Sequence, residues 1–335
     1  MLKRSYISGL GFNVPDNIVK NDDLTKYMDT SDEWIYERSG IKERRIVESH
    51  ENNGIGPADL AVPAVENALK MADLDKKDID FIIFSTAMPD YFLPGSGCLL
   101  QEKMEFPTIG TLDIRQQCAG FIYGLDIADQ YIKNGRYKNI LLVCSEVQST
   151  TIDYSNRGRD VAVLFGDGCG AVIVSSTEQK KGILSTHLHS EGKYAKELWI
   201  EAPSAKMYPR LTNKMIEEGR HHLQMNGREV FKQAVRRFPE VITECLEHNG
   251  LQSKDISLFL PHQANIRINS MVQQKMGFRD DQVLNNIHKY GNTTSATIPI
   301  LLTEAYNDGK IKEGDLVLMA AFGSGFTWGA SLVKW

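Results

Sequence analysis

No two cysteines of this chain stand close enough in sequence to clip a metal or form a redox pair. Cys98, Cys118, Cys144, Cys169 and Cys245 are scattered singly over 335 residues. The missing C-x-x-C disfavours a zinc site and a thioredoxin-like motif, and an odd, dispersed set fits a reducing cytoplasm better than secretion. Long apolar runs are missing as well. The longest, residues 140–144 and 317–322, are far too short to cross a bilayer and suit buried strands. The first twelve residues have a basic start but no long apolar stretch and no small-residue cleavage site, so they do not read as a signal peptide. Basic charge is not in excess. Lys and Arg number 38 against 43 Asp and Glu, a net charge of −5, which gives no support for a nucleic-acid partner. No G-x-x-x-x-G-K-[ST] occurs, and no G-x-G-x-x-G opens a helix, so P-loop and dinucleotide sites are disfavoured.

What is present alternates. Phe81-Ile82-Ile83-Phe84 follows a helical pattern around residues 61–71, the apolar run 140–144 follows one at 120–134, and Ala171-Val172-Ile173-Val174 follows a glycine-rich turn. Short continuous apolar strands between helices predict an α/β protein whose sheets are covered on both faces. The order then repeats. Asp78-Ile79-Asp80-Phe81-Ile82-Ile83 resembles Asp255-Ile256-Ser257-Leu258-Phe259-Leu260. The stretch 137–143 resembles 312–318, and Phe165-Gly166-Asp167-Gly168 resembles Phe322-Gly323-Ser324-Gly325. Three matches in one order predict an internal duplication, with halves at 1–177 and 178–335. The polar stretch 178–219 reads as their connection, with a short strand at 197–200.

Three residues carry the chemistry. Cys118 precedes a predicted helix, whose unpaired N–H groups and dipole would lower its pKa; a buried packing cysteine is the competing reading. His262, in Pro261-His262-Gln263-Ala264-Asn265, ends a predicted strand ahead of a helix. Asn292, in Gly291-Asn292-Thr293-Thr294, sits in a turn, where ordinary turn chemistry would also explain it. A pseudo-twofold axis would bring all three to one crevice. Gly323-Ser324-Gly325 follows a buried strand, and its N–H groups could bind an oxyanion, or simply close a hairpin. A papain-like protease also uses Cys, His and Asn in this order, but its C-G-[SA]-C-[WY] signature is missing.

The constellation resembles the beta-ketoacyl-acyl-carrier-protein synthase III family of the thiolase superfamily. The likeness runs from Thr30-Ser31-Asp32-Glu33-Trp34-Ile35 through the Cys118 run, Asn156-Arg157-Gly158 and Met225-Asn226-Gly227-Arg228, to Phe322-Gly323-Ser324-Gly325-Phe326. It implies a thiolase-like α/β fold of duplicated halves in five layers, αβαβα. It implies that Cys118 takes the acyl group, that His262 and Asn292 stabilise the enolate of a malonyl unit losing carbon dioxide, and that the N–H groups of Cys118 and Ser324 form the oxyanion hole. His262 must be neutral for that role. By the same resemblance, Trp34 and Arg157 sandwich the adenine of coenzyme A, with Thr30, Arg38 and Asn265 along the tunnel. Lys232 and Arg267 receive an acidic acyl carrier protein. Leu93 and Phe322 border the acyl pocket, Leu93 standing where an aromatic residue of a partner subunit often caps it. The implied protein is a cytoplasmic homodimer with acyl-CoA as substrate and no tightly bound cofactor. Ala119 replaces the family's usual Ser, and the runs Asp113-Ile114-Arg115-Gln116-Gln117 and Arg157-Gly158-Arg159-Asp160 look like those of specialised relatives, one of which makes quinolone precursors. Competing functions are acyl transfer to another nucleophile without decarboxylation, and a non-catalytic acyl-binding protein. A biosynthetic thiolase would need a second catalytic cysteine near the C-terminus, and none follows Cys245.

Overall fold

The computed structural model describes residues 3–48 and 54–335; Met1 and Leu2, the beginning of the basic N-terminal stretch, lie outside it. The first sheet holds β1 (Arg4–Asn13), β2 (Phe81–Ser85), β3 (Gly110–Ile114), β4 (Asn139–Glu146) and β5 (Gly168–Thr177), in the order β1-β5-β4-β2-β3. β1 and β4 run antiparallel to β5, whereas β4, β2 and β3 are parallel. The second sheet holds β6 (Gly182–Ser190), β7 (Leu258–Pro261), β8 (Leu316–Gly323) and β9 (Thr327–Lys334), in the order β6-β9-β8-β7. Its directions repeat those of the first, and a parallel bridge from Phe259 to Val283 occupies the place corresponding to β3. β2 is buried at every position, as a continuous apolar run in a parallel sheet should be.

Among the described residues, seven helices of eight residues or more complete the frame: α1 (Asp32–Ser39), α2 (Pro57–Ala72), α3 (Ser96–Lys103), α4 (Gly120–Lys133), α5 (Gly227–His248), α6 (Ile266–Met276) and α7 (Thr297–Asn307). α2 and α3 cover the outer face of the first sheet, and α5 and α6 the outer face of the second. α4 and α7 lie between the sheets in one shared core, and α4 touches strands of both. The result is the expected αβαβα layering. The outer contact of α2 depends on missing side chains: a Cβ on Gly11 would lie 2.0 Å from the carbonyl oxygen of Ala64, and one on Gly9 2.3 Å from that of Ala68.

One expectation needs correction. The stretch 178–219 is more than a connection, because β6 supplies the edge of the second sheet from within it. Its sequence, Gly-Ile-Leu-Ser-Thr-His-Leu-His-Ser, loses clear alternation where its second half becomes half-exposed. Leu198–Trp199 does pair as a short strand, with Gln224–Met225.

Candidate active site

Cys118 sits in a single 3-10 turn, Gln117–Ala119, between β3 and α4. The turn is sharp: Gln117 has φ +43°, a left-handed conformation that costs a non-glycine residue on the order of 1 kcal/mol or more. Gly323 at the end of β8 faces it so closely that a Cβ there would lie 2.5 Å from Cys118 Cβ and 2.9 Å from Sγ. The thiol is therefore buried, and burial pushes it up to about 12, with the charge of Glu146 adding to the effect. The backbone N–H groups of Cys118 and Ser324 pull the other way and do not prevail. The lowered pKa expected from a helix N-terminus is thus overturned: desolvation outweighs the amide donors, and the resting residue is a thiol. Cys144, Cys169 and Cys245 are buried too, while Cys98 is exposed.

His262 follows β7 directly, and its N–H donates to Ala320 O at 2.9 Å, which ties it to β8. Burial holds its pKa down at about 3, so the ring is neutral. Nδ1 meets Thr297 Oγ1 at 2.6 Å, while Nε2 is buried with no partner among the described residues. The Thr297 hydroxyl also reaches Thr294 O at 3.2 Å. When the hydroxyl donates to that carbonyl, the ring carries its proton on Nδ1; when it donates to the ring, the proton sits on Nε2. Asn292 is clamped by its backbone: its N–H donates to Leu164 O at 2.8 Å, and its own carbonyl accepts from Gly166 N–H at 3.1 Å. Its Oδ1 accepts from Thr294 N–H at 2.9 Å, so the amide nitrogen is the end left for a ligand.

These three side chains line one cavity of about 360 Å³, together with Trp34, Arg38, Asn265, Arg267, Phe322 and Gly323. Trp34 is anchored where α1 begins, its N–H capped by Ser31 Oγ at 3.1 Å. Arg38 and Arg159 place their guanidinium carbons 4.5 and 4.8 Å from its ring centroid. Arg157 does not join them. Asp153 takes its Nε at 2.5 Å and Glu217 O its Nη1 at 2.9 Å, so the second guanidinium on the indole is that of Arg159, two residues on. Nothing in Arg157-Gly158-Arg159 signals which guanidinium Asp153 will take. Asn265 caps α6 and donates to Arg38 O at 2.9 Å. Thr30 is not in the cavity wall. Arg267 lies 5.9 Å from the Phe231 ring centroid, and Lys232 is 70% exposed beside Glu229.

A second cavity of about 410 Å³ also reaches Cys118. It shares Cys118, Phe165 and Leu198 with the first but is otherwise differently walled. Ser324 lines it, whereas Phe322 lines only the first cavity. Leu93 lines neither: it is 86% exposed, and its neighbours Tyr91 and Phe92 form the wall instead. Within a single chain, Leu93 therefore borders no pocket at Cys118, whereas Phe322 borders the first cavity. Sequence reasoning missed Thr297, a helix-start threonine like many others, and Arg115, which stood out only as part of an unusual run.

Two like α/β halves enclosing a central helix pair, with a buried cysteine, histidine and asparagine gathered on one cavity, define a condensing acyltransferase of the thiolase fold. Residues 112–192 match the family described as 3-oxoacyl-[acyl-carrier-protein (ACP)] synthase III, and residues 246–335 match its C-terminal model. Beta-ketoacyl-[acyl-carrier-protein] synthase III of Aquifex aeolicus is 41% identical over 98% of this chain and 99% of its own. The protein of that name from Methylococcus capsulatus is 40% identical over the full length of both. The crystal structure of the Aquifex aeolicus 3-oxoacyl-[acyl-carrier-protein] synthase III has a TM-score of 0.89 at 41% identity, covering 99% of this chain and 100% of that one. The chain belongs to the beta-ketoacyl-acyl-carrier-protein synthase III family.

Proposed function

We propose that the protein initiates fatty-acid synthesis, or a closely related pathway, by condensing an acyl-CoA starter with a malonyl thioester carried on acyl carrier protein. The observation that carries this reading is Cys118 at the meeting of two cavities, one of them lined by His262, whose Nε2 has no partner among the described residues. In the first step the Cys118 sulfur bonds to the acyl carbonyl carbon, the bond from that carbon to CoA sulfur breaks, and the thiol proton leaves with CoA. A thiol near 12 and an imidazole near 3 do not rest as an ion pair. Proton removal therefore accompanies attack, with the Nε2 lone pair of the Nδ1–H tautomer as the acceptor that relays it. In the second step the malonyl carboxylate leaves as carbon dioxide. The enolate oxygen takes hydrogen bonds from His262 Nε2–H and the Asn292 amide, each such donor being worth ~3 kcal/mol or more. The carbanion then attacks the Cys118 thioester carbon; the oxyanion, held by the N–H groups of Cys118 and Ser324, collapses to the 3-ketoacyl product as the carbon–sulfur bond breaks, and the departing Cys118 thiolate takes a proton from solvent. The reaction thus uses both histidine tautomers, and the Thr297 hydroxyl is placed to serve either.

Coenzyme A would lie along Trp34, with Arg159 and Arg38 on the indole by cation–π attraction. Arg267 and Lys232 would contact the carrier protein, and Thr30 and Asn265 would help shape the α1–α6 rim. We propose a cytoplasmic homodimer in which the exposed loop around Leu93 covers the partner's second cavity.

A second reading is a specialised pathway with a non-standard starter, as in quinolone-precursor synthesis. Arg115 and Gln117 favour it, because they put polar groups in the wall of the second cavity. The test is to incubate the protein with acetyl, longer, branched and aromatic acyl-CoAs, then map the adduct by mass. A Cys118 adduct from short alkyl chains supports initiation, and one from aromatic or long chains supports the specialised pathway. No adduct from any donor, or no decarboxylation of malonyl thioester, defeats the condensing mechanism as assigned.

A further inference from the structure

Cys118 as acyl acceptor is the reading on which this inference rests; the question is which acyl group the second cavity was shaped to hold. A pocket for a plain alkyl chain should be walled by apolar groups, since a buried polar atom left without a partner costs about 1–3 kcal/mol. This wall is different. Arg115, three residues before the nucleophile, lines the cavity at its solvent-exposed edge and has neither hydrogen-bond nor ion-pair partner among the described residues. Thr294 Oγ1 and His221 Nδ1, in the same wall, are both buried and without partners among the described residues. Among the described residues Asp90 is the sole carboxylate in the wall, and both its oxygens face the Ala58 N–H at 3.3 Å, where α2 begins. Among the described residues the wall thus holds one exposed, uncommitted cation and two buried, uncommitted polar atoms, a hydroxyl oxygen and an imidazole nitrogen. Groups of this kind match an anionic acceptor, and a planar guanidinium suits a carboxylate in particular.

We propose that the second cavity selects an acyl group whose far end is a carboxylate, so that the starter is the CoA half-thioester of a short dicarboxylic acid. Arg115 is its counter-ion, and Thr294 and His221 complete its hydrogen bonds. Loading leaves the distal carboxylate unchanged: sulfur bonds to the thioester carbonyl, CoA departs, and the Cys118 proton goes with it.

The experiment measures initial rates of Cys118 adduct formation on the full-length protein, by intact mass and peptide mapping. It uses pairs matched in carbon number: succinyl- with butyryl-CoA, glutaryl- with valeryl-CoA, and adipyl- with hexanoyl-CoA. The carboxyl-ended member should load at least tenfold faster in one pair or more. Arg115→Met should reduce that ratio by tenfold or more, and Arg115→Lys, which keeps the charge, should retain part of it. Alkyl members loading as fast in every pair would overturn the proposal, as would an Arg115→Met protein with an unaltered ratio. Adducts without a carboxylate preference reject this inference alone. No adduct from any acyl-CoA rejects the covalent reading beneath it as well.

Discussion

Cys118 is the residue whose behaviour departs furthest from what its neighbours in sequence suggest. A helix follows it, and the amides of Cys118 and Ser324 reach the sulfur, yet burial and the nearby Glu146 charge push the thiol to about 12. The free enzyme should therefore be a poor target for alkylation. With iodoacetamide, modification of the Cys118 peptide should still be climbing as pH passes the ordinary thiol value of 9.0, because thiolate forms only as the raised pKa is approached. A plateau near neutral pH would mean that the amide donors win. The thiol, imidazole and carboxamide were legible from their motifs. Their protonation states were only partly so, because these depend on how β8, α4 and α7 close over them. Gly323 shows why: its lack of a side chain admits Cys118 from a position about two hundred residues away in sequence.

Between single residues and the whole chain, the sequence is read best where one element decides its own burial. β2, β4 and β5 announce themselves as apolar runs, and α4 as the helix after the nucleophile. β6 does not, because its second half is only partly buried and its partner β9 is far along the chain. Arg157 and Arg159 show the same limit at short range, since Asp153 captures only the first. Arg159→Ala should therefore raise KM for acyl-CoA a few-fold, the loss of roughly one exposed cation–π contact, while Arg157→Ala should change it less. The reverse order in steady-state kinetics would restore Arg157 to the indole. The seat of α2 on β1 gives a second expectation. A methyl group at Gly11 has no room against Ala64 O. Gly11→Ala should lower the urea midpoint by an amount equivalent to about 1–3 kcal/mol, and an unchanged midpoint would show that the helix shifts freely.

For the molecule as a whole, two buried groups set opposing pH slopes. Glu146 accepts from Ser295, Thr86 and Ala87, but burial dominates and raises its carboxyl from 4.5 to about 7. Between those values the folded chain holds a proton that the unfolded chain has lost, so Glu146's contribution to stability falls as pH rises. His262 is depressed from 6.5 to about 3, and between those values the unfolded chain holds the extra proton, so its contribution falls as pH drops. From about pH 4.5 to 6.5 the two slopes oppose and nearly cancel. Relative to the parent, Glu146→Gln should make stability decline more steeply toward acid in that window, and His262→Gln should make it decline more steeply toward neutrality. Urea titrations at several pH values read both; parallel curves for parent and variants would show that neither group is buried with the proton occupancy described. The two cavities have a further meaning over evolutionary time. Because they share only Cys118, Phe165 and Leu198, substitutions around Arg115 can reshape the second cavity without touching the wall of the first. A gene copy free to drift could acquire a new starter while still drawing extender units from the same cellular supply.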